Sequence, residues 1–270
     1  MKNTLRAARS IALALLPVAA LALAAPWLRI GILPALALGF LVAAATLVAG
    51  ASGVTAHART LREIAPILVA GLVSAAAGLL VARAGRGGVI TEVLSGLIAS
   101  GAVLAVGGAL GVGVGGRIAH PGHLLAVALA SSAADIWSVH APEGVTHAIV
   151  AARDVSLQRL VTLSAAVAPD RSPEPAIGVG DVIFAALYLA ACTPHGLSRR
   201  RMTFAVAVGL LLAGAATFAL KRPMPALPFL GAMVVLFEPR ARSVPSQDRV
   251  ATAVAGALLV AAVLRVARLG

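Results

Sequence analysis

Apolar residues run along this chain in long unbroken blocks, and charge is confined mostly to the short stretches between them. The blocks are Ile11 to Ala25, Ile30 to Gly50, Ile64 to Ala82, Val89 to Gly116, Leu124 to Val139, the run after Asp181, Met202 to Leu220, Pro225 to Leu236 and Val250 to Val266. About 17 to 28 apolar residues wound as a helix suffice to cross the hydrocarbon layer of a bilayer. Unbroken runs, rather than period-two alternation, select helices over a β-barrel. The pattern predicts an all-α, polytopic transmembrane bundle of about nine spans, a multi-pass protein of the cell membrane. Residues 1–118 would supply about four N-terminal spans. Residues 119–270 would carry the candidate chemistry and a C-terminal span.

Some blocks need individual readings. Val89 to Gly116 would be about 42 Å long as one helix, more than the bilayer core requires. Its glycine-rich end, from Val106 onward, is read as close packing of one tilted helix against a neighbour. Lys2, Arg6 and Arg9 precede the first block, which ends in Ala22-Leu23-Ala24. That resembles a signal peptide with its cleavage site, but a retained first helix is the preferred reading. Leu157 to Ala168 is too short to span and is read as interfacial. Gly50-Ala51-Ser52-Gly53 is read as a turn.

Composition agrees with the pattern. Of 270 residues, 60% are hydrophobic and 12% charged, about half the charge of an ordinary soluble domain. Mean hydropathy is +0.98. The formal net charge of +12 does not point to nucleic acid, because the arginines flank apolar blocks, where phospholipid headgroups lie. Aromatic residues, the stacking platform of single-strand binders, make up only 3%. Cys192 has no second cysteine to pair with and is read as a small packing residue. His120 and His123 lack a clustered acid or thiol and do not read as a metal site.

Two acids stand apart. Of the ten, six fall in polar links, while Glu92 and Glu238 lie near block ends, where water is expected. Asp135 and Asp181 belong to spanning segments, where a lone Asp costs about 2.5–3.5 kcal/mol on insertion scales. Asp135 is late in its helix and Asp181 early in the next, so an up-and-down path brings both to one depth. A further crossing and return places Pro225-Ala226-Leu227-Pro228 on that same side. Two close carboxylates share one proton; the ionised partner activates water and the protonated one polarises a carbonyl. Gly178 and Gly180 permit close backbone approach beside Asp181. Pro225 and Pro228 remove two N–H donors and discourage helix, which would leave an open edge for an extended peptide.

Asp135-Ile136-Trp137-Ser138-Val139, Gly178-Val179-Gly180-Asp181 and Pro225-Ala226-Leu227-Pro228 together resemble the presenilin and signal-peptide-peptidase family of intramembrane aspartyl proteases. The likeness covers about Ser131 to Leu236. It implies that Asp135 and Asp181 are catalytic and that Gly178, Val179, Gly180, Pro225, Ala226, Leu227 and Pro228 shape the substrate channel. Substrates would be transmembrane proteins or signal peptides that unwind locally before cleavage, and hydrolysis would need neither metal nor organic cofactor. The chain departs from the family in two respects. Ala134 stands where the family usually has Tyr before the first aspartate. The aspartates and PAL, on spans six, seven and nine in the family, fall here on predicted spans five, six and eight.

Two other readings use the same acids. A prepilin-peptidase-like enzyme also carries GxGD, but its motif typically continues with Lys two residues on, where this chain has Ile183. A proton-coupled transporter would explain the acids but not the glycines and prolines gathered beside them.

Overall fold

A computed structural model of the chain describes residues 2–24, 32–58, 60–84, 89–152, 158, 160–165 and 174–269. Arg59, Arg86, Asp154 and Asp170, and parts of the Leu157–Ala168 run, lie outside the described residues. The fold is almost entirely helical. In order come α1 (Lys2–Ala24), α2 (Ile32–His57), α3 (Leu61–Ala84), α4 (Val89–Gly115), α5 (His123–His140) and α6 (Val145–Ala151). Two short strands follow, β1 (Thr162–Ala165) and β2 (Glu174–Gly178). The remaining helices are α7 (Val179–His195), α8 (Arg199–Leu220), α9 (Leu227–Phe237) and α10 (Arg249–Leu269).

Every predicted apolar block forms a helix, but among the described residues seven, not nine, are long and apolar enough to cross a membrane. The two that fall short are α7, with 17 residues, and α9, with 11. Local chemistry cuts both. Helix α7 begins where β2 ends, and it closes in a Schellman turn with Gly196 at φ 57° and the Leu197 N–H on the Cys192 carbonyl at 3.0 Å. Helix α9 starts at the proline tetrad and stops before Pro239, which cannot continue the ladder.

The chain forms two compact units. One comprises Met1–Gly115 with Val155–Ala190, the other Gly116–Asp154 with Ala191–Gly270. The chain passes from the first unit to the second after Gly115 and re-enters the first at Val155. The return of the Asp181 helix to the first unit was not expected, and the glycines of α4 explain it.

In the first unit α4 is one continuous helix, as the single-crossing reading holds, and its small residues admit three neighbours. Gly108 lies against Val54 of α2, and Gly71 of α3 lies against Ala105 and Val106. Gly107, Gly111 and Gly115, spaced four apart on one face, receive α7 through Val182, Ile183, Ala186, Leu187 and Ala190. A Cβ on Gly111 would stand 2.2 Å from the Ile183 carbonyl oxygen, so only glycine permits this approach. Gly50–Gly53 is helical, not a turn. These small residues sit inside α2, with Leu104 packed on Gly50 and Ser10 of α1 packed on Gly53.

The apolar piece read as interfacial contributes a strand. Thr162–Ala165 pairs antiparallel with Glu174–Gly178, in the register Thr162 to Gly178 and Leu163 to Ile177, with an irregularity between Leu163 and Ser164. β-Branched Thr162 and Ile177 suit the pleat, and Leu163 and Ile177 are buried.

In the second unit α9 is wedged between α5 and α8. Gly231 meets Ala128 of α5, and Gly209 of α8 meets the Leu230 backbone. Helices α5 and α10 run side by side in the same direction, pinned at both ends. His123 meets Asp248 at 2.9 Å at one end, and at the other the Arg265 guanidinium lies 4.2 Å from the Trp137 ring centroid and bonds Glu143.

Candidate functional site

The first aspartate is held by the helix that carries the proline tetrad. Asp135 lies five residues before the end of α5, and its Oδ2 accepts the Leu227 N–H at 2.9 Å. Leu227 is the first residue of α9, so this N–H has no partner inside its own helix. The carboxylate caps α9 from a different helix, and the positive end of the helix dipole favours the negative charge there. Half-buried Asp135 keeps Oδ1 outside that bond.

The tetrad differs from the sequence expectation in one respect. Pro225 and Pro228 were expected to discourage helix and leave an open edge. Pro228 instead occupies the first turn of α9, where a missing N–H costs nothing and a fixed φ favours the helix. Ala226 is the N-cap, and its carbonyl accepts the Phe229 and Leu230 N–H groups. Pro225 and Leu227 are buried, and Ala226 and Pro228 are half-buried.

The second aspartate is held by its own turn. Gly178 ends β2, Val179 opens α7, and Asp181 sits in the first turn of that helix. Its Oδ2 accepts the Gly178 N–H at 3.0 Å, the return half of a capping box, in which the third helical residue reaches back to the N-cap N–H. Gly180 has nothing within 4 Å of a built Cβ, so its small size leaves open space beside the acid. Among the described residues the sheet has two strands, and each strand therefore keeps one edge unpaired within it.

Asp135 and the tetrad thus form one acidic group in the second unit, and Asp181 with the Gly178–Gly180 turn forms a separate one in the first. Each offers a carboxylate fixed at a helix N-terminus by a backbone N–H. Such a group can accept a proton from water while the amide holds its geometry.

Three features escaped the sequence reading. The β-hairpin before Asp181 was hidden by the shortness of its strands. Arg265 carried no signal beyond closing an apolar run. Glu238 was expected near water, yet it is 2% exposed. Comparison of the chain with protein-family models, with curated proteins and with solved structures finds no match.

Proposed function

We propose that the chain is an intramembrane aspartyl endopeptidase of presenilin-like type, in which Asp135 and Asp181 meet as a catalytic dyad. The observation that carries the reading is the bond from Leu227 to Asp135. It joins two of the three resemblance motifs across 92 residues of sequence, as a site built from those motifs needs and as chance placement of short motifs does not.

The length of α9 supports a position inside the membrane. Eleven residues rise about 17 Å, roughly half the ~30 Å core. With α9 as the eighth of nine membrane segments, its N-terminus and Asp135 stand at depth rather than at the surface. Irregular backbone is tolerated there only where protein or an aqueous cavity surrounds it. The β2 edge beside Asp181 supports the substrate side, since a locally unwound transmembrane segment could add to it as a strand.

In the proposed reaction the ionised aspartate takes a proton from water as its oxygen attacks the scissile carbonyl carbon. The protonated aspartate donates to the carbonyl oxygen. Collapse of the tetrahedral intermediate breaks the C–N bond, and the leaving amine takes up the proton. Substrates are transmembrane proteins or signal peptides, and the location is the cell membrane.

The test is reconstitution in vesicles with a single-span substrate. Asp135→Asn and Asp181→Asn should each abolish cleavage in folded protein. A folded variant that still cleaves at the wild-type rate overturns the assignment. Loss of proton-coupled solute uptake in the same vesicles, with no proteolysis by wild type, would instead favour transport. A short thiol cross-linker across Asp135→Cys and Asp181→Cys, in a Cys192→Ala background, reads the meeting of the two acids directly.

A further inference from the structure

Three consecutive arginines open α8, and with Thr203, Phe204 and Ala207 they line a groove of about 880 Å³. Arg200, Phe204 and Ala207 follow one another at intervals of four and three residues, so they share one face of the helix. Phe204 is 55% exposed and meets Phe237 edge-on at 5.2 Å between centroids. Down this face the surface changes from guanidinium to aromatic to methyl within about 10 Å along the axis. An amphiphile with an anionic head and a hydrocarbon tail has that same order of chemistry.

Glu238 lies beside this groove. It is 2% exposed, neither carboxylate oxygen accepts a hydrogen bond from the described residues, and Arg201 Nη2 stands 3.8 Å away. At that separation the pair is ionic rather than hydrogen-bonded. The buried acid draws the Arg201 guanidinium toward the protein, while 55% of the Arg201 side chain stays exposed. A guanidinium has five N–H donors, and this ion pair leaves them available for oxyanion contacts. The segment that follows α9, from Glu238 to Arg249, carries Arg240, Arg242 and Arg249 against Glu238 and Asp248. Arg242 is occupied with the Val235 and Leu236 carbonyls, where it closes the C-terminus of α9. The groove lining itself holds three arginines, Arg199, Arg200 and Arg201, and no acid.

We propose that this groove binds an anionic phospholipid. Arg200 and Arg201 hold the phosphodiester through bidentate guanidinium contacts, and one acyl chain descends over Phe204 and Ala207. The site is independent of the protease reading, because its occupancy is measured without substrate.

The experiment uses the full-length protein in detergent, titrated with phosphatidylglycerol or phosphatidylcholine, with retained lipid counted by native mass spectrometry. Wild type should retain phosphatidylglycerol at least about fivefold better than phosphatidylcholine, and Arg200→Gln should remove most of that preference. Removing Arg201 alone would strand a buried carboxylate, so the partner variant is the double change Arg201→Gln with Glu238→Gln, which should act like Arg200→Gln. Lys221→Gln with Arg222→Gln, at the other end of α8, should leave retention unchanged. Equal retention of the two lipids by wild type overturns the proposal. Full displacement of the lipid by about 10 mM inorganic phosphate would identify a free-anion site and overturn the lipid assignment. Phe204→Ser that leaves retention unchanged would do the same.

Discussion

The Leu227 amide donates to the Asp135 carboxylate at 2.9 Å, so one acid serves as helix cap and candidate catalyst together. The two roles separate by substitution. Asp135→Asn keeps an acceptor oxygen, so thermal stability should hold while cleavage is lost. Asp135→Ala removes the cap as well and should cost about 0.5–2 kcal/mol. Thermal unfolding of both variants beside a cleavage assay checks this; equal stability of the two would show that the cap contributes nothing.

Leu227 and Pro228 should behave differently although they are neighbours. Leu227 is buried at the start of α9, and Leu227→Ala should cost about 2–5 kcal/mol as a core truncation. Pro228 sits in the first turn, where its ring stabilises rather than breaks the helix, so Pro228→Ala should change stability by less than about 1 kcal/mol. A Pro228→Ala variant that is stable yet slow in turnover would assign the tetrad a part in substrate handling. Denaturation midpoints beside turnover rates supply the comparison.

Gly111 and Gly113 give a matched pair on α4. A Cβ at Gly111 would meet the Ile183 carbonyl oxygen at 2.2 Å, whereas at Gly113 it would meet nothing within 4 Å. Gly111→Ala should therefore destabilise by about 1–3 kcal/mol, because backbone must move. Gly113→Ala should be neutral, or stabilising by up to about 1 kcal/mol through helix propensity. If both variants melt alike, α7 does not pack on this glycine face.

Arg265 bonds Glu143 and lies over Trp137, and so ties α10 to α5. Arg265→Gln should lower stability by about 0.5–1 kcal/mol, the range of an exposed cation–π contact, and should change Trp fluorescence. Glu143→Gln, which leaves the ring contact in place, should have the smaller effect on emission. Emission spectra of the two variants, with Trp27 replaced by Phe to isolate Trp137, read the difference.

The limits of the sequence are visible at particular residues. The glycine run after Val106 was legible as close packing, because a stripe without side chains has few other uses inside lipid. Which neighbour it receives is not legible, since α2, α3 and α7 are all apolar and hydropathy does not name partners. Glu238 was misplaced for a related reason. An acid just beyond an apolar run looks wet, yet the fold buries Glu238 beside Arg201 of α8. Proline chemistry depends on position, so in sequence the tetrad looks like a helix breaker. In the first turn its missing N–H is no loss, and sequence alone did not locate that turn.

By itself, the sequence determined the helical class, the order of the apolar segments and the acids that stand out within them. Solvation alone decides those properties, since lipid rejects charge and unpaired backbone wherever they fall. Tertiary structure alone decided that Asp135 caps the helix of the proline tetrad and that the Asp181 helix groups with the first four. Those outcomes depend on contacts between segments far apart in the chain, where one missing methyl group or one unpaired amide selects among neighbours that hydropathy makes equal.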